Sequence, residues 1–200
     1  MKRFACSLSF LIVAVYLLLS AEKSWLLLFW SAACLHELGH LAALVLLGGT
    51  VQRFCFRMSG AELQYCGNRI SYGGEVLLAL AGPIANLLCA CFCAWISRYW
   101  PMDWIYRFAG CHLVLAGFNL LPAMPLDGGR VLRTLLEASF PMAGEQIACY
   151  ISICVGVLLL LFGTVLLVKN GNMTLFSAGG VILVRSLPKT TLHLSEKLLK

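Results

Sequence analysis

Two hundred residues, 60% of them hydrophobic and 12% charged, give a mean hydropathy of +0.87. A soluble domain of this length could not bury so much apolar surface, so composition excludes one and indicates a multi-pass membrane protein. The formal net charge of +6 comes without a basic run interleaved with aromatics, which excludes nucleic acid as a partner and fits contact with anionic lipid headgroups.

In chain order, Lys2 and Arg3 precede an apolar run from Phe4 to Ala21. It is longer than the roughly 7 to 15 residue core of a signal peptide and reads as a retained span. A second run, Trp25 to Leu47, ends at Gly48-Gly49. The mixed segment after it alternates with period two: Phe54, Phe56 and Met58, then Ala61, Leu63 and Tyr65, then Ile70 and Tyr72. That pattern predicts short strands with turns near Ser59-Gly60 and Gly67-Asn68, a small sheet whose edge could pair with an extended peptide. Further runs follow at Val76 to Ser97, Phe108 to Leu121, Gln146 to Val168 and Met173 to Val184. The fourth run is short for a crossing and the sixth shorter still, since a span takes about 17 to 25 residues.

Charge decides the count. If all six runs cross, Lys2, Arg3, Arg53, Arg57, Arg69, Arg130, Arg133, Arg185, Lys189, Lys197 and Lys200 share one side, against Lys23, Arg98, Arg107 and Lys169. Leaving the sixth run uncrossed erases this bias, which short cytoplasmic loops should show. The expected fold is therefore an all-α polytopic membrane protein with about six transmembrane helices and a small β-hairpin or sheet element between the second and third. Both termini would be cytoplasmic and the cell membrane its location. The ten cysteines contain no Cys-x-x-Cys pair and read as small core residues. No repeat or soluble domain interrupts the 1–200 membrane domain, and the sequence leaves the oligomeric state open.

The chemistry begins in the second run, at His36-Glu37-Leu38-Gly39-His40. The histidines lie one helical turn apart on one face, so two imidazole nitrogens can hold one zinc ion while Glu37 reaches a water on that metal. This is HExxH, the signature of metalloproteases, set among apolar residues where ionisable groups are costly and tend to be functional. A catalytic zinc usually has three protein ligands. Glu22, Glu62, Glu75, Asp103, Glu137, Glu145 and Glu196 lie in loops, near span ends or in the tail. Asp127 alone combines an apolar approach with a broken backbone, in Asn119-Leu120-Leu121-Pro122-Ala123-Met124-Pro125-Leu126-Asp127-Gly128-Gly129. The prolines stop the fourth helix and the glycines allow backbone angles closed to other residues, so a carboxylate can be aimed inward.

With His36 to His40, Ala81-Gly82-Pro83-Ile84-Ala85-Asn86, and Asn119 through Pro122 and Pro125 to Gly129 in this order, the chain resembles the site-2 protease family of intramembrane zinc metalloproteases. The resemblance covers about 31–133, the catalytic core, with 4–21, 146–168 and 173–184 as accessory spans. The plan is similar to the branch containing the sporulation protease that processes a sigma-factor precursor, without that branch's C-terminal nucleotide-sensing domain and without the PDZ domain of other branches. The resemblance implies His36, His40 and Asp127 as ligands of one Zn2+ per chain and Glu37 as general base. It implies hydrolysis of transmembrane or membrane-associated protein substrates.

Gly82-Pro83 should bend or break its helix. Asn86 and Asn119 are candidates to hydrogen-bond substrate backbone or orient a ligand, against a plainer role as interhelical glue. His112 reads as a satisfied core histidine. The competing functions are a metal-ion transporter, which would need several weak sites along a path, and a non-catalytic membrane scaffold, which would tolerate loss of a ligand or the glutamate.

Overall fold

A computed structural model describes residues 4–6, 23–57, 60–66, 70–171 and 173–198. These residues form strands β1 (Phe4–Cys6), β2 (Thr50–Arg57) and β3 (Gly60–Cys66), and helices α1 (Lys23–Leu46), α2 (Tyr72–Ile96), α3 (Asp103–Asn119), α4 (Asp127–Ser139), α5 (Gly144–Asn170) and α6 (Thr174–Leu198). The chain divides into two compact units, Met1–Phe118 and Asn119–Lys200.

Among the described residues, three stretches, Trp25–Leu46, Tyr72–Ile96 and Gly144–Asn170, are long and apolar enough to cross a membrane by length and composition. Helix is the form such segments must take, because lipid offers nothing to bond a free N–H or C=O. The fourth expected span differs in extent: α3 has 17 residues and starts at Asp103, so it takes in Asp103 and Arg107 ahead of the apolar run. The sixth corresponds to a shorter apolar helical stretch, Thr174–Ser186. Of the first expected span, Phe4–Cys6 is extended and paired with β2, and residues 7–22 lie outside the described ones.

In the first unit the strand order is β1-β2-β3. β1 runs parallel to β2 with Phe4 opposite Phe54, and β2 runs antiparallel to β3 from Thr50 opposite Cys66 to Arg57 opposite Gly60, with an irregularity between Val51 and Arg53. The turn expected at Gly67-Asn68, and Ser59 of the other, fall outside the described residues. Ile70 to Tyr72 does not form a strand. Ser71 instead caps α2, its Oγ accepting from the Gly74 N–H at 3.2 Å, and Glu75 in the first turn favours the helix start.

Helix α2 continues from Tyr72 to Ile96 through Pro83, so the expected break is absent. Proline removes one backbone bond, whereas opening the helix in apolar surroundings would strand several polar groups. Against α2, α1 packs through small residues: a Cβ on Gly39 would lie 2.7 Å from the Ala81 carbonyl oxygen and 2.8 Å from the Ala85 Cβ. Where the first helix begins, the second ends and the third begins, Trp25, Trp95, Tyr99, Trp100, Trp104 and Tyr106 are exposed, and the Arg107 guanidinium sits 5.1 Å from the Trp25 ring centroid. Amphipathic rings of this kind gather at the membrane–water boundary.

In the second unit, α5 and α6 meet through glycine. A Cβ on Gly163 would fall 2.7 Å from the Phe176 Cα, and one on Gly179 2.7 Å from the Leu160 nitrogen, so side chains there would push the backbones apart. Gly171 ends α5 with φ 67°, a left-handed cap that suits glycine. Helix α4 was not expected, because its charged Arg130, Arg133 and Glu137 break the apolar run. It is amphipathic instead; Arg133 pairs with Glu137 one turn on at 2.6 Å and ties the helix to the start of α5 through Glu145 at 3.0 Å.

Candidate metal centre

His36 and His40 stand one turn apart on α1, both buried, with ring centroids 4.7 Å apart. Their Nε2 atoms face each other at 3.1 Å. Two nitrogens each ~2.05 Å from one tetrahedral zinc are about 3.3 Å apart, so the pair has nearly the spacing of two ligands on a single ion. The far nitrogen of each ring is also engaged. His40 Nδ1 lies 2.8 Å from the Leu78 carbonyl oxygen, which can only accept, so the proton sits on Nδ1 and the Nε2 lone pair is available. His36 Nδ1 lies 3.1 Å from the Asn86 amide nitrogen.

Helix α2 can approach these rings because position 82 has no side chain. A Cβ there would collide with His40 Nε2 and lie 2.8 Å from both Cε1 and Nε2 of His36. Gly82 thus matters here for closeness, and the helix continues unbroken through Pro83. Glu37, next to His36, is half-buried on α1. Asn86 is fully buried between two imidazoles, since its carbonyl oxygen lies 2.9 Å from His112 Nδ1. The other nitrogen of His112, Nε2, is buried without a hydrogen-bond partner among the described residues. His112 is therefore not the satisfied core histidine expected from the sequence. The missed signal lies in placement: only the fold brings α3 to the Asn86 position on α2.

In the second unit, Asp127 is the first residue of α4 and is 7% exposed. Its carboxylate is favoured there by the helix N-terminus and by Arg130, 3.7 Å away at i+3. Gly128 and Gly129 take helical angles, contrary to the expected special backbone conformation, and their role is close approach. A Cβ on Gly128 would lie 2.6 Å from the Leu121 carbonyl oxygen, and one on Gly129 2.6 Å from the Met124 nitrogen. The proline turn therefore folds directly onto the first turn of α4. Ser152 fixes that turn to α5, accepting from the Met124 N–H at 3.0 Å and donating to the Ala148 carbonyl at 2.8 Å. Asn119 is the half-buried last residue of α3.

Comparison with known proteins gives three findings. The model of Peptidase family M50 matches residues 100–163, which include Asn119 and Asp127 but not the HExxH motif. The chain is 28% identical to a zinc metalloprotease of Methanocaldococcus jannaschii over 77% of its own length and 48% of the relative's, and 31% identical to stage IV sporulation protein FB of Bacillus subtilis over 65% and 46%. It spans about half the length of these curated relatives. Its fold is similar to that of the site-2 protease from Methanocaldococcus jannaschii, with TM-score 0.71 and 22% identity, over 94% of this chain and 91% of that one.

Proposed function

We propose that this chain is a site-2 protease family member, a zinc metalloendopeptidase that cuts transmembrane or membrane-associated proteins within the bilayer, a reading supported by the M50 match over residues 100–163 and by the similar fold. The observation that carries the reading is the pair of buried Nε2 atoms 3.1 Å apart, beside a glutamate on the same helix. The third ligand in this proposal is Asp127, buried in the first turn of α4. The stoichiometry would be one Zn2+ per chain.

When bound, zinc supplies Lewis acidity, polarising the scissile carbonyl and making water acidic enough to attack near neutral pH. Glu37 accepts the proton of the attacking water and passes it to the leaving amine. Asn86 orients His36, and Asn119 bonds substrate backbone or steadies a ligand. A helical substrate must unwind locally to present a peptide bond. The edge of the β1-β2-β3 sheet is the proposed place where the extended segment pairs. Six spans with cytoplasmic termini in the cell membrane complete the reading, which rests on the charge asymmetry. The match to stage IV sporulation protein FB supports kinship with the sporulation branch.

The test compares membrane proteomes of cells carrying the native protein or Glu37→Gln, together with the zinc content of each purified form. Fragments should appear only with the native protein, and both forms should hold stoichiometric zinc. Continued cleavage by the Gln form would refute the assignment.

A further inference from the structure

The buried polar chain behind His36 reaches a residue with no part in the reaction described above. From Leu78 the hydrogen bonds run to His40, His36, Asn86 and His112. Without metal one set of protons satisfies every link. His40 Nδ1–H donates to Leu78, His36 Nε2–H donates to His40 Nε2, the Asn86 amide N–H donates to His36 Nδ1, and His112 Nδ1–H donates to the Asn86 carbonyl. His112 Nε2 is then bare, in agreement with its having no partner among the described residues.

A metal on both Nε2 atoms is incompatible with that pattern. His36 must carry its proton on Nδ1, which needs an acceptor, so the Asn86 amide must turn over and present its oxygen. Its NH2 group then faces His112 Nδ1, which must accept, and the His112 proton must reside on Nε2. A residue at 112 able to serve in both directions is required, and an imidazole whose second nitrogen is uncommitted is such a residue.

We propose that His112 is a positioning residue for the metal centre: through Asn86 it lets His36 adopt the tautomer that binds zinc. This rests on the zinc-protease reading. It requires no movement of the backbone, only a half-turn of one amide and relocation of the His112 proton.

Zinc affinity of the purified protein, measured by competition with a chromophoric chelator, provides the test. His112→Phe keeps the ring volume but leaves one end of Asn86 unpaired, and should weaken zinc binding roughly tenfold, whereas His112→Asn, which keeps a donor and an acceptor near the Nδ1 position, should stay within about threefold of native. The double variant Asn86→Ala/His112→Phe should bind no more weakly than Asn86→Ala alone. Native affinity in His112→Phe, equal losses in the Phe and Asn forms, or additive losses in the double variant would overturn the proposal. A second measurement uses only native protein. The chain has four histidines, and 15N-imidazole spectra with and without zinc should show His112 passing from Nδ1–H to Nε2–H. An unchanged His112 tautomer on zinc uptake refutes this proposal alone, whereas native protein that takes up no zinc refutes the protease reading and the proposal with it.

Discussion

Replacing Gly82 by alanine adds one methyl group where it bears most directly on the two imidazoles proposed to hold the metal. The new Cβ would lie 2.8 Å from Cε1 and Nε2 of His36 and would collide with His40 Nε2. Ordinary contact begins at 3.4 Å, so the His36 ring must withdraw by about 0.6 Å, the difference between 3.4 and 2.8 Å, or α2 must shift. Metal–nitrogen distances tolerate only ~0.2 Å, so His36 would leave the position from which it is proposed to bind the metal. Misplacing reacting groups by ~1 Å costs about a hundredfold, and zinc affinity and cleavage should each fall by roughly that factor. Overpacking should also cost about 1–3 kcal/mol of stability, so zinc competition is to be measured on protein shown to be inserted and monodisperse. Gly110→Ala is the control, since a Cβ there meets nothing within 4 Å among the described residues, and it should bind zinc as the native protein does. If Gly82→Ala binds zinc and cleaves like the native form, the two rings are not held against α2 as described and the ligand geometry is wrong.

Two further outcomes follow from the second unit. Asp127→Asn keeps the shape of the side chain but removes its charge, and should weaken zinc binding by about 10–100-fold in the competition assay with the protein still inserted. Ser152→Ala deletes the hydroxyl that accepts from Met124 N–H and should cost about 1 kcal/mol, read as faster hydrogen exchange at the Met124 amide.

The helices that cross apolar surroundings were legible because their signal is one-dimensional: Trp25–Leu46, Tyr72–Ile96 and Gly144–Asn170 appear as runs. The HExxH pair was legible for a similar reason, since i and i+4 are neighbours in any helix. Helix α4 was hidden because Arg130, Arg133 and Glu137 look like a loop until the opposite face is known to be buried. The glycines at 82, 128 and 129 announced that something unusual happens there, but composition does not separate a bent backbone from a close approach. Close approach depends on what lies opposite, Leu121 and Met124 for one pair and two imidazoles for the other. His112 was misjudged on the same ground, because a hydrogen bond across 26 residues leaves no trace in local pattern.

The exposed tryptophans and tyrosines at the start of α1, the end of α2 and the start of α3 act as a float line for the first unit. From Trp25 to His36 the helix rises roughly 16 Å at 1.5 Å per residue, and that length belongs to the protein alone. In a thicker or thinner bilayer the imidazole pair keeps its depth below the aromatic face, and the opposite face absorbs the whole change. Acyl-chain length should therefore tune how far water travels to the pair from one side only, which makes lipid thickness a one-sided control on hydration of the site.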